Sequence, residues 1–174
     1  GDFQKIRKLE IPGLVEIGRS AFRLTEIEEL DLGNTKIISS EAFLQAKLNQ
    51  TNIVIPETVT NVQSSAFKSP NIYATNVIFK GDTTINSNVF DQANIDNLKF
   101  EGKAVIGQGA FYNSKVKTVD FGEKTKFIGV SSFQNTAIVQ NELKIPASVE
   151  RVANNAFYSS EKKINKLILE AKEV

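Results

Sequence analysis

The chain has 174 residues with 21 basic and 20 acidic side chains, a formal charge of +1, and no Cys, His, Met or Trp. Without Cys and His there is no disulfide framework, no thiol nucleophile, no imidazole proton shuttle and no cysteine- or histidine-ligated metal. The balanced charge argues against a nucleic-acid binder, which concentrates basic residues on one face, and no apolar run approaches the roughly 20 residues that span a bilayer. No enzyme activity and no cofactor are expected. The opening residues, with Asp2, Gln4 and Lys5, form no apolar leader, which leaves a cytosolic protein or one whose leader has been removed.

In chain order, the sequence repeats. Short apolar-x-apolar triplets occur at Leu9–Ile11, Leu30–Leu32, Ile53–Ile55, Val77–Phe79, Leu98–Phe100, Val119–Phe121, Leu143–Ile145 and Leu167–Leu169. Period-two alternation turns the outer residues of each triplet inward and the middle one outward. Pro12, Pro56 and Pro146, or Gly33, Gly81, Gly102 and Gly122, follow within two residues and mark corners. A second inward aliphatic comes next: Ile17, Ile38, Val62, Ile85, Ile106, Ile128 and Val152.

Five residues later stands a phenylalanine preceded by a small residue, at Phe22, Phe43, Phe67, Phe90, Phe111, Phe133 and Phe157, spaced by 21, 24, 23, 21, 22 and 24 residues. Self-similarity at this period is the signature of a solenoid, one repeat per coil. Two residues before each phenylalanine are Ser20, Glu41, Ser65, Asn88, Gly109, Ser131 and Asn155. Ser and Asn cap helical turns, so a short helix or 3₁₀ turn is expected at each Ala-Phe pair. Five residues after it come Ile27, Leu48, Ile72, Ile95, Val116 and Ile138; the seventh repeat has Lys162 there, with Ile164 as its substitute. The return to the next triplet takes eight residues after Phe22, Phe90 and Phe111 and ten after Phe43, Phe67, Phe133 and Phe157. The two extra residues are expected in exposed loops.

The stretch Ile53-Val54-Ile55-Pro56-Glu57-Thr58-Val59-Thr60-Asn61-Val62-Gln63-Ser64-Ser65-Ala66-Phe67 resembles the BspA-like, treponemal-type leucine-rich repeats of bacterial surface proteins, as do Leu143–Phe157 and Leu9–Phe22. The resemblance covers nearly the whole chain. It departs in lacking the Gly-Cys or similar small pair after the phenylalanine, where Arg23-Leu24, Leu44-Gln45 and Lys68-Ser69 stand. It implies a leucine-rich-repeat solenoid, with a parallel sheet of about eight short strands on one face and helical or 3₁₀ turns and loops on the other. Residues 1–174 would form one solenoid domain of about seven repeats, with partial repeats at both ends. It also implies a secreted or surface-displayed bacterial protein, lipid-anchored through a leader outside this sequence, that acts in adhesion. Because Gln4–Ile11 resembles residues 162–169, the chain starts and stops at one phase of the repeat without a polar cap. End-to-end self-association or a further flanking segment is therefore expected.

The middle residues of the triplets line the outward face: Glu10, Asp31, Val54, Ile78, Lys99, Asp120, Lys144 and Ile168. Val54 and Ile78 should be neighbours, flanked by Asn52 and Asn76 with Lys80 and Lys99 beside them. An apolar pair rimmed by amides and lysines suits the centre of a protein-binding patch. The competing reading is that these β-branched residues reflect strand preference alone. Tyr112 and Tyr158 fit half-buried edge residues better than a carbohydrate platform, and Asp82 with its neighbours fits turn chemistry better than a calcium loop. The leading functional expectation is a non-enzymatic module that binds an extracellular protein or glycan through Asn52, Val54, Asn76, Ile78, Lys80 and Lys99. The alternative is a structural spacer displaying another domain; a carboxylate-based hydrolase ranks last.

Overall fold

A computed structural model describes residues 3–159 and 164–170. Along the chain run β1 (Gln4–Glu10), β2 (Glu16–Ile17), β3 (Thr25–Asp31), β4 (Ile37–Ile38), β5 (Lys47–Ile55), β6 (Asn61–Val62), β7 (Ile72–Phe79), β8 (Thr83–Ile85), β9 (Asn94–Phe100), β10 (Ala104–Ile106), β11 (Lys115–Asp120), β12 (Phe127–Ile128), β13 (Glu142–Ile145), β14 (Arg151–Val152) and β15 (Lys166–Leu169). The odd-numbered strands carry the triplets and pair in parallel, as a six-stranded sheet β1-β3-β5-β7-β9-β11 and a separate pair β13-β15. The even-numbered strands, which carry the second inward aliphatic, form a parallel seven-stranded sheet β14-β12-β10-β8-β6-β4-β2. That second sheet has no legible sequence signal, because two or three residues show no alternation. At the corner between the sheets backbones touch: a Cβ on Gly102 would lie 2.1 Å from the Gly81 carbonyl carbon.

The third side of each coil corrects the expectation of a helix. No described residue is helical. Ser20, Glu41, Ser65, Asn88, Gly109, Ser131 and Asn155 instead adopt left-handed backbone, with φ between 53° and 62°. Each opens a four-residue turn that in most coils overlaps a preceding one: Ala21 N–H donates to the Gly18 carbonyl at 3.2 Å and Arg23 N–H to the Ser20 carbonyl at 3.1 Å. Ser and Asn favour caps because their side chains bond nearby backbone, and Asn tolerates left-handed φ for the same reason. The residue types were therefore legible and the conformation was not. The turn frees backbone groups for the neighbouring coil. Phe22 N–H donates to the Ala42 carbonyl at 2.7 Å, Phe43 to Ala66 at 2.7 Å, Phe90 to Ala110 at 2.7 Å and Phe133 to Ala156 at 2.8 Å. The Ala-Phe pair thus supplies both the acceptor and the donor of a third ladder between coils.

Inside, the motif phenylalanines stack face to face from Phe22 to Phe157, with centroids 4.8–5.6 Å apart and planes within 17°. A second column, Phe79, Phe100 and Phe121, meets the first edge-on, as at Phe79–Phe90 (6.2 Å, 84°). The ends of the stack are thinner. Phe22 and Phe157 are only partly buried, and Val152, expected inward, is 41% exposed, since β14 is the last strand of its sheet among the described residues. Ile164 packs against the core as expected, while Lys162 lies outside the described residues.

The insertions after Phe43 and Phe67 are not in loops but within the long strands β5 and β7, whereas the one after Phe133 lies in the irregular, partly exposed segment before β13, and the one after Phe157 falls partly outside the described residues. Each change of return length is met by a side-chain amide. Where eight residues give way to ten between β3 and β5, the pairing stops after Ile27↔Leu48, and Gln50 Nε2 donates to the Ile27 and Glu28 carbonyls at 3.1 and 3.0 Å. Where ten give way to eight between β7 and β9, Asn94 Nδ2 donates to the Pro70 and Ile72 carbonyls at 3.1 and 3.2 Å. Between β11 and β13 no ladder forms. There the Gln140 amide stands in for a peptide group: its Oε1 accepts from Val119 N–H at 2.6 Å and its Nε2 donates to the Val119 carbonyl at 3.2 Å. Steps of equal length, β5 to β7 and β9 to β11, are paired along their length. An insertion leaves backbone groups without partners, and these amides satisfy them.

Two outcomes follow for stability in denaturant unfolding. Phe90→Ala, in the middle of the stack, is expected to cost about 3–5 kcal/mol, and the same change at the half-buried Phe157 clearly less. Gln140→Ala, which strands the Val119 peptide groups, is expected to cost about 1–3 kcal/mol although the residue is only half-buried.

Candidate ligand-binding face

The outward surface of the six-stranded sheet brings the expected residues together. Val54 pairs in register with Ile78, Ile78 with Lys99, and Asn52 with Asn76. Val54 is 40% exposed and Ile78 partly buried. Strands interior to a sheet hold their outward side chains at a fixed spacing of about 4.8 Å across and about 3.3 Å per residue along. The patch is therefore rigid in its backbone.

The lysines at the rim are ion-paired. Lys80 and Lys99 both reach Glu101, at 3.2 and 3.4 Å. The Lys80 ammonium, hydrogen-bonded to Glu101, holds that carboxyl below the usual glutamate range against its partial burial, and Lys99 adds to the effect. Glu101 stands just past β9 and interrupts no pattern, so nothing in the sequence marked it as the common partner. Two further pairs neutralise the flanks: Lys47–Glu26 at 2.7 Å, with Glu26 held low by that lysine, and Lys117–Asp96 at 2.6 Å.

The amides form a directed ladder. Thr118 Oγ1 donates to Asn97 Oδ1 at 2.8 Å, Asn97 Nδ2 to Asn76 Oδ1 at 3.2 Å, and Asn76 Nδ2 to Asn52 Oδ1 at 2.8 Å. Asn97 also donates to the Thr75 carbonyl at 3.3 Å, so both of its protons are used. Asn52 ends the chain, accepting once and keeping both protons. Asn97 and Thr118, one residue before their triplets, stand at the same phase as Asn52 and Asn76, and the strand register sets all four in one row. Tyr73 was also missed. It is 53% exposed on this face, in register with Asn49 on β5 and Asn94 on β9. Tyr112, by contrast, is half-buried in the turn column.

A second feature lies where the sheet is interrupted. A cleft of about 200 Å³ opens between β11 and β13, lined in part by Asp120, Glu123, Gln140, Glu142, Lys144 and Glu170. Its charges are mostly spoken for. Lys144 bonds Glu170 at 2.6 Å and is held above the usual lysine range by it, Lys166 bonds Glu142 at 3.0 Å, and Asp120 accepts from Gly122 N–H at 2.8 Å in a turn. Among the described residues no three acidic, Cys or His side chains are placed to hold a metal. No described helix is long and apolar enough to cross a membrane.

Comparison with known proteins agrees with the geometry. The family model described as BspA type leucine rich repeat region, in six copies, matches residues 2–95 and 36–165. A solved structure, of a leucine-rich cell surface protein from Faecalibacterium prausnitzii A2-165, superposes with a TM-score of 0.50 at 16% identity. The match covers 96% of this chain and 60% of that protein, so the chain spans about three fifths of its length. At that identity the likeness concerns the fold. No curated protein sequence matches the chain.

The ion triad gives a test of the face. Because Glu101 is depressed relative to an unfolded glutamate, its contribution is complete above the unfolded pKa and is lost as pH falls through the lower folded one. Carboxyl carbon NMR should show Glu101 titrating below an unstructured glutamate, and Lys80→Ala should move that midpoint upward.

Proposed function

Since the chain belongs to the BspA-type leucine-rich repeat family, we propose that it is a binding module displayed outside a bacterial cell, with the outer face of the six-stranded sheet as its ligand surface. The observation that carries this reading is the contrast between what repeats and what does not. The inward positions repeat one chemistry from coil to coil, whereas the outward positions of β5 and β7 break from the charged pattern of their neighbours. On β3 the outward residues are Glu26, Glu28, Glu29 and Asp31; on β5, past Lys47 at its start, and on β7 they become Asn49, Thr51, Asn52, Val54, Tyr73, Thr75, Asn76 and Ile78. A stack needs no such change to stand.

The cell-surface setting of the structural neighbour supports the location, and an extracellular macromolecule is the partner class. Binding centres on Asn52, Val54, Asn76 and Ile78, with Lys80 and Lys99 at the rim, both paired to Glu101 so that one net positive charge remains there. Charge at the centre should be decisive. Val54→Glu and Ile78→Glu, both at outward positions where the fold tolerates a polar side chain, should each weaken capture of an extracellular ligand by at least about tenfold, roughly 1.4 kcal/mol, with the unfolding midpoint little changed. A capture assay against immobilised matrix and surface fractions reads this. Unchanged capture in both variants would move the site off this face and favour a spacer.

A further inference from the structure

We infer that the window on β5 and β7 takes a neutral polysaccharide chain, an assignment of ligand class that rests on the strand-face reading above. Charge complementarity selects the occupant. Between Asn49 and Val54 on β5, and between Tyr73 and Ile78 on β7, no outward side chain is ionised at neutral pH. The cations around the window are tied to carboxylates: Lys47 to Glu26 and Lys117 to Asp96 one to one, while Lys80 and Lys99 share Glu101 and leave a single net positive charge at that rim. On the neighbouring β3, Glu28 and Glu29 are exposed, and a sulfated or sialylated chain would meet them as like charge.

The hydrogen-bonding capacity left open lies in the same place. Asn49, Thr51 and Thr75 make no side-chain hydrogen bond among the described residues, Asn76 keeps one amide proton and Asn52 keeps two. The ladder runs from Thr118 to Asn52, and an amide that accepts at its oxygen donates more strongly through its nitrogen. Asn52 is thus the strongest open donor of the row. About three residues along the strand, roughly 10 Å away, the Tyr73 ring stands exposed between Asn49 and Asn94. Asn94 has both protons fixed on backbone carbonyls, so only its oxygen faces outward as an acceptor. A pyranose chain matches this set: its rings have apolar C–H faces for an amphipathic aromatic, and its hydroxyls both donate and accept. An extended peptide has less to gain, because β5 and β7 are interior strands with no free edge for strand addition.

The test presents the chain with immobilised neutral polysaccharides (glucans, mannans and galactans) beside heparin and polysialic acid. The expected result is retention on at least one neutral glycan that survives raised ionic strength. Tyr73→Ala and Asn52→Ala should each weaken it by about tenfold or more, while Tyr73→Phe, which keeps the ring, stays near wild type. Circular dichroism melts establish that the variants are folded. No retention on any neutral glycan overturns the assignment. So does retention on anionic glycans alone that salt abolishes, or neutral-glycan retention that neither variant disturbs. If an enzymatically deglycosylated protein fraction is captured and Val54→Glu releases it, the strand-face reading stands and the glycan assignment fails. If Val54→Glu and Tyr73→Ala leave every capture unchanged, both fail.

Discussion

Each coil must hydrogen-bond to the next on all three of its sides at one common spacing. On the odd-numbered and even-numbered strands this is ordinary parallel pairing. On the third side it requires a left-handed residue before every Ala-Phe pair, at a conformational cost of about 1–2 kcal/mol for each one that is not glycine. The cost is offset locally: the same turn releases the phenylalanine N–H to the next coil and drops the ring onto the stack. Stacking at 4.8–5.6 Å matches the strand spacing, so rings and ladders favour the same repeat distance.

That constraint also explains the side-chain amides at irregular steps. A coil with two extra residues cannot pair fully with a shorter neighbour, and Gln50 in β5, Asn94 in β9 and Gln140 before β13 bond the backbone groups left over. At the β11–β13 step the extra residues form no strand, the sheet ends and a cleft opens. The even-numbered sheet and the turn ladder continue past it, through Phe127↔Arg151 and Phe133 N–H to the Ala156 carbonyl. The stack is interrupted on one side only.

Much of this was legible in the residues. The triplets, the inward aliphatics and the Ala-Phe pairs each report a side chain that must face the core, and burial forces that pattern to repeat. Conformation at the turn was not legible, because Ser and Asn serve a helix cap and a left-handed turn equally well. The insertions in β5 and β7 were misplaced because loop tolerance is a general rule, while the amide that permits an insertion inside a strand is a single residue. Of the face, Val54 beside Ile78 and Asn52 beside Asn76 could be read from repeat phase. Glu101 and Tyr73 required the register between strands, which depends on return lengths that vary by two, whereas Asn97 and Thr118 stand at the repeat phase of Asn52 and Asn76.

The division of labour is therefore physical: inward positions satisfy the stack, and the outward centre of β5 and β7 is free of that duty. Side-chain amide NMR during titration with a retained neutral oligosaccharide tests this most directly. The Asn52 and Asn76 side-chain signals should move most, while Asn97 and Asn94, whose protons are already committed, move little. Perturbations concentrated instead around Asn141 and Asn165 near the sheet break, or spread evenly over the molecule, would contradict it.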